Sequence, residues 1–241
     1  MKRLERHRLK ENDIEAFARQ ARERFESRKR ETTIVLVALA AILVVGVGYW
    51  AWRARIDSRA HALLAEALTV QQARVGPPAD AAGVPGLSFP TERERAQAAL
   101  TKFKIAADAY PSTDAGIFAR YQEAATFMAL GSATEAAALY QQVVDRAGNR
   151  IYGQMARLGL AEAQARSGQY DQAINTFKEL AQRKDGPLPV DGILMQLGRT
   201  YREAGKRADA QQTFNRLVQE FPESPFSADA KRELDSLKKT T

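Results

Sequence analysis

The alternation of apolar and polar positions divides the chain into one long apolar run and, after it, a succession of short helical periodicities. Residues 32–52 (TTIVLVALAAILVVGVGYWAW) form a stretch of 21 positions without a charge. At about 1.5 Å rise per residue such a stretch covers a hydrocarbon core of about 30 Å. A buried helix of a soluble domain would carry a polar stripe, and this run has none. The pattern predicts a single transmembrane helix whose exit, Tyr49, Trp50 and Trp52, forms an interfacial aromatic belt. A cleaved signal peptide has a short charged leader and a small-x-small cleavage site. Here 31 residues precede the run and Arg53 follows Trp52, so the expectation is an uncleaved anchor.

Beyond the anchor the chain repeats itself at a shift of 37 residues. Ala99, Ala136, Ala173 and Ala210 stand in register, as do Phe103, Tyr140, Phe177 and Phe214 one helical turn later. Gly131, Gly168 and Gly205 precede the last three alanines by five positions, and the first and last copies close on Tyr110-Pro111 and Phe221-Pro222. Positions kept in phase over four copies are the signature of stacked supersecondary units. Each element has a mechanical role. The glycine accepts the left-handed conformation that ends a first helix. The alanine lets two helices approach, the aromatic fills the groove beside it, and proline stops the second helix. The repeating unit is helix, turn, helix.

These residues resemble the tetratricopeptide repeat family. The last copy, LMQLGRTYREAGKRADAQQTFNRLVQEFP, carries Leu197, Gly198, Tyr201, Ala210, Phe214 and Pro222 at the family's signature places. The resemblance covers residues 92–222 and implies an all-α solenoid of about 3.5 helical hairpins. The first hairpin is irregular. Its first helix is expected over 57–74 and its second over 91–109, separated by VGPPADAAGVPGLSFP, whose four prolines and three glycines predict a loop. At the other end 227–238 predicts an amphipathic helix, with Ala228, Leu234 and Leu237 placed to cover the open face of the last repeat. The expected organisation is a basic amphipathic cytoplasmic segment (1–31), a transmembrane helix (32–52), a linker helix and Pro/Gly-rich loop (53–90), tetratricopeptide-like repeats (91–224) and a C-terminal capping helix (225–241).

Charge then assigns an orientation. The formal net charge is +7. Residues 1–31 hold 11 basic and 7 acidic side chains, and residues 53–241 hold 25 and 22. More than half of the excess therefore lies before the anchor, where lysine and arginine favour the cytoplasmic side. The expectation is a cytoplasmic N-terminus and a repeat domain across the bacterial inner membrane, in the periplasm. Ile14, Phe17, Ala18, Ala21 and Phe25 recur at helical spacing behind Asn12 and Asp13, a basic amphipathic segment suited to the anionic leaflet. The nearly balanced repeat region lacks the concentrated basic face that nucleic acid requires.

The candidate chemistry is sparse. With no cysteine and only His7 and His61, disulfides, thiol catalysis and cysteine-bound metal are excluded, and histidine chemistry has little to draw on. Gly198, Gly205 and Lys206 do not make a phosphate loop, because six residues separate the glycines and Arg207 stands where Ser or Thr belongs. No catalytic residue, metal site or cofactor is expected. The informative side chains are apolar and fall on the first helices. With Ala124, Ala161, Gly198 and Tyr201 turned to the paired helix, Phe118, Tyr121, Met128, Met155, Leu158 and Met195 are left for the inner curve. Glu162, Arg199 and Arg202 add polar groups on that side. Flexible apolar surface suits a face that accepts several partners; the same residues also suit packing between repeats.

Over its full length the chain resembles the ancillary subunit family of the bacterial Sec translocon, most clearly in ENDIEAFARQARERFESRKR and the span ending GVGYW. That resemblance implies contact with the translocon and periplasmic chaperones, in a non-enzymatic role assisting newly exported proteins. The segment FNRLVQEFPESPFSADAKREL is also similar to the repeats of outer-membrane assembly lipoproteins and of the periplasmic cell-division coordinator. The alternative it implies is a scaffold tethering such a complex.

Overall fold

A computed structural model describes residues 29–76, 86–183 and 186–239. Among these the chain forms nine helices and one pair of two-residue strands. Helix α1 is Lys29–Gln71, β1 is Arg74–Val75 and β2 is Ser88–Phe89; then come α2 (Glu92–Ala109), α3 (Asp114–Ala129), α4 (Ala133–Ala147), α5 (Ile151–Arg166), α6 (Tyr170–Gln182), α7 (Val190–Glu203), α8 (Arg207–Glu220) and α9 (Ser227–Lys239). The chain separates into two units, Met1–Arg55 and Ile56–Thr241.

In the first unit, the described residues belong to α1, which by length and composition is able to cross a membrane. Within this unit its apolar side chains are exposed: Ile42, Leu43, Val44 and Val45 are 66–71% exposed. Tyr49 and Trp52 lie 5.9 Å apart, ring to ring, at its aromatic end. The amphipathic segment expected over residues 12–28 lies outside the described residues.

The second unit is the helical-hairpin solenoid. The 37-residue register is carried into its core, since Ala99, Ala136, Ala173 and Ala210 are at most 1% exposed and Phe103, Phe177 and Phe214 are wholly buried. Each such aromatic contributes about 2–3 kcal/mol by leaving water. The three turns Gly131, Gly168 and Gly205 all have positive φ (88°, 80° and 75°), and each is closed by the same pair of bonds. Ser132, Gln169 and Lys206 donate their amides to the carbonyls of Phe127, Gln164 and Tyr201 at 2.8–2.9 Å. These six-to-one bonds satisfy the last helical carbonyls and turn the chain back on itself.

Three buried clusters follow one another along the unit, one around Phe103, one around Tyr140 and one spanning Phe177 and Phe214. Helix α9 completes the last. Ala230, Leu234 and Leu237 are buried, at the spacing of one helical face, whereas Ala228, expected there, is exposed. The correction is one of rotation: 230, 234 and 237 form an i, i+4, i+7 set, and 228 falls on the opposite side.

The irregular first hairpin differs from expectation where its first helix ends and across its loop. The first helix stops at Gln71, and Arg74, expected to be helical, belongs to β1. β1 and β2 pair in parallel, Arg74 with Ser88 and Val75 with Phe89, which brings the two ends of the expected loop together.

Candidate protein-interaction face

First helices of neighbouring hairpins touch, α3 against α5 and α5 against α7, more closely than second helices do. The first helices therefore line the inner side of the repeat unit, and the candidate residues on it are placed as follows.

Phe118 and Tyr121, one turn apart on α3, are partly exposed, and their rings lie nearly parallel (14°) at 6.2 Å between centroids. Phe118 also meets Tyr152 of α5 at 5.2 Å, and Tyr121 meets Tyr140 of α4 edge-on at 5.5 Å. Four rings thus run from α5 across α3 to α4. Tyr140 is held there by Gly159: a Cβ at that position would stand 2.5 Å from the Tyr140 ring. Met155 on α5 is partly exposed. Met128 is partly buried and packs on the Tyr140 cluster, and Leu158 packs on the following one.

Met195 does not belong to an accessible face. It is 1% exposed, inside the cluster that holds Phe177 and Phe214. On α7, Ile193, Leu194, Met195, Leu197 and Gly198 are all buried. The physical reason is that α6, α8 and α9 all contribute to the one cluster in which Met195 lies.

The polar candidates divide. Arg199 and Arg202 are occupied by that same capping helix. Arg202 pairs with Glu233, and Arg199 lies 3.6 Å from Glu233 and 3.9 Å from Asp229. Glu162, in contrast, is partly buried on α5, one turn beyond Gly159 and its contact with the Tyr140 ring. Burial raises its pKa above the ordinary carboxylate value, with the Arg166 guanidinium opposing. Burial raises the Tyr121 phenol, and the Glu162 charge raises it further; Tyr140 is raised by burial, Tyr121 and Glu162.

Two features were not foreseen. Between α2 and α3, buried Arg120 donates to Glu123 and to Asp108, and Glu123 is itself 3% exposed. Burial raises the Glu123 pKa, and the charge and hydrogen bond of Arg120 oppose the rise. A sequence signal existed in the i, i+3 spacing of Arg120 and Glu123, but nothing in it distinguishes a buried pair from a solvated one. The second is an open cleft of about 480 Å³ lined by Gln71, by Glu92, Arg93, Arg95, Ala96 and Ala99 of α2 and by the end of α3. Helices α4, α6 and α8 begin three positions before their register alanine, whereas α2 begins seven before Ala99. That extra turn, capped by Thr91 accepting from the Glu94 amide at 3.2 Å, makes one wall of the cleft.

Among the described residues no group of three His, Asp or Glu converges as a metal ion requires. His61 is exposed on α1.

The sequence profile of the tetratricopeptide repeat-like domain family matches residues 24–239. No curated protein matches the chain. Among solved structures, the chain is similar to a candidate kinesin light chain of Podosopora anserina built of nearly identical TPR-like repeats, at 16% identity and a TM-score of 0.57, covering 76% of this chain and 87% of that one. A single-substitution variant of that protein is similar at 17% identity, with a TM-score of 0.58 and coverage of 76% and 86%. YrrB, a TPR protein with an unusual peptide-binding site, is similar at 19% identity and a TM-score of 0.48, over 58% of this chain and 68% of that one.

Proposed function

This chain belongs to the tetratricopeptide repeat-like domain family, and from that premise we propose that it is a non-enzymatic polypeptide-binding module held at a membrane by α1, serving protein export or envelope assembly. The repeat fold is that of a protein-interaction module. The observation that carries the reading is the row of partly exposed rings Tyr152, Phe118 and Tyr121 beside Met155 on the inner side. Apolar, rotamer-poor rings offer contact area at low entropic cost, and a thioether adapts to varied shapes.

The membrane role is supported by α1, whose uncharged stretch is exposed within its unit. The excess of lysine and arginine before the span supports a cytoplasmic N-terminus and a periplasmic repeat domain. The resemblance of the start of the chain to the ancillary translocon subunits supports the Sec translocon and periplasmic chaperones as partners. The boundaries 1–31, 32–52, 53–90, 91–224 and 225–241 follow as the proposed domain plan.

Crosslinking in intact membranes followed by mass spectrometry tests this. Recovery of translocon components together with many exported chains is the expected result. A single stoichiometric partner from a division or outer-membrane machine would instead favour the scaffold. Recovery of neither would overturn both. Protease treatment of spheroplasts tests the topology: the repeat unit is digested from outside, and protection of that unit would reverse the orientation.

A further inference from the structure

We propose that the inner face takes a cationic side chain, a lysine or arginine of the bound polypeptide, between the Tyr121 ring and the Glu162 carboxylate. The proposal rests on the polypeptide-binding reading above and names the chemistry of its partner.

Three observations converge. The rings of Tyr152, Phe118, Tyr121 and Tyr140 form a continuous chain with centroids 5.2–6.2 Å apart, and the faces of such rings attract cations through their quadrupole. Glu162 supplies the counter-charge: it is partly buried on α5, one turn beyond Gly159, which abuts the Tyr140 ring, and its charge acts on the Tyr121 and Tyr140 phenols. No cation among the described residues stands within ion-pair distance of Glu162. Arg166, one turn along α5 and exposed, acts on it only at longer range. A partly buried carboxylate without a partner carries a desolvation cost, and a ligand cation that also stacks on Tyr121 would offset it.

The other polar groups of this side do not compete for the site. Arg199 and Arg202 are engaged by Asp229 and Glu233 of α9. Nor would the general field of the molecule attract a cation, because residues 53–241 carry 25 basic and 22 acidic side chains. A preference for cationic peptide would be local to Glu162.

The test uses the full chain in an uncharged detergent and two fluorescent, unstructured peptides of equal length. Both carry leucine and serine at the same positions; one has lysine where the other has methionine. The lysine peptide is expected to bind about tenfold more tightly. Glu162→Gln, a neutral isostere that relieves the burial of charge, should keep the fold by circular dichroism and bring the two affinities together. Equal affinities in the unsubstituted chain, or a lysine preference that survives Glu162→Gln, would overturn the proposal. Equal binding that Tyr121→Ser and Met155→Ser weaken would overturn the cation preference alone and leave the polypeptide-binding reading in place. Binding of neither peptide would overturn both.

Discussion

Gly198 of α7 lies directly against the ring of Phe214 on α8: a Cβ added to it would stand 2.4 Å from Phe214 Cε1. The ring is wholly buried and has no room to withdraw. This contact sets how closely the two helices of the last hairpin approach, and it shows why the signature pairs a small residue with an aromatic.

Gly198→Ala is therefore expected to destabilise the repeat unit, despite the better helix propensity of alanine. Overpacking of this kind costs roughly 1–3 kcal/mol. Chemical denaturation of the purified chain reads the change, and a variant as stable as the parent would show that the helices separate freely at this point.

The Asp108–Arg120–Glu123 group makes a different prediction. Arg120→Ala leaves the Glu123 carboxyl, 3% exposed, without its guanidinium, and removing one member of a buried pair costs roughly 3–5 kcal/mol. Replacing both Arg120 and Glu123 with methionine should restore most of that loss, because no charge then remains buried. A double variant no more stable than the single one would argue against an electrostatic cause.

The pH dependence of Glu162 has a definite sign. Its folded-state pKa is raised, chiefly by burial, with Tyr121 of α3, Tyr140 of α4 and Arg166 of α5 as its charged and titratable neighbours. The stabilising contribution of a raised carboxyl is fully present below its unfolded pKa and is lost as pH rises through the folded one. Glu162→Gln should accordingly gain melting temperature relative to the parent at neutral pH and lose that advantage in acid. A difference independent of pH would mean that the carboxyl is not held in this way.

The cap is expected to be anchored by its apolar side rather than by its ion pairs. Leu234→Ala removes buried methyl groups from the last cluster, at a cost of roughly 2–5 kcal/mol. The Arg202–Glu233 pair has side chains 38% and 16% exposed. Solvent screening there limits the coupling in a double-mutant cycle to less than about 1 kcal/mol. Denaturation of the four variants measures both, and a larger coupling than loss at Leu234 would invert the assignment.

Much of the molecule was legible because its pattern is one-dimensional. Identical phase at Ala99, Ala136, Ala173 and Ala210 and at the four aromatics needs no knowledge of distant contacts, since each hairpin repeats the same local packing. The uncharged run of residues 32–52 is likewise a property of consecutive positions. Phe118, Tyr121, Met155 and Glu162 were legible as a group because first-helix positions at helical spacing share a side.

What the pattern left open was decided by neighbours from other helices. Met195 and Met155 are the same residue type on first helices, yet Met195 lies inside the cluster that α6, α8 and α9 build with α7, and Met155 stays partly exposed. Arg199 and Arg202 are taken by acidic groups of α9, some thirty positions onward by the sequence interval between Arg202 and Glu233. The chain of rings from Tyr152 to Tyr140 exists only where α3, α4 and α5 meet. Sequence by itself determined the repeat, the long apolar helix and the composition of the inner side. Tertiary structure decided which of those side chains stay accessible, because burial is a property of what packs against a residue and not of the residue alone.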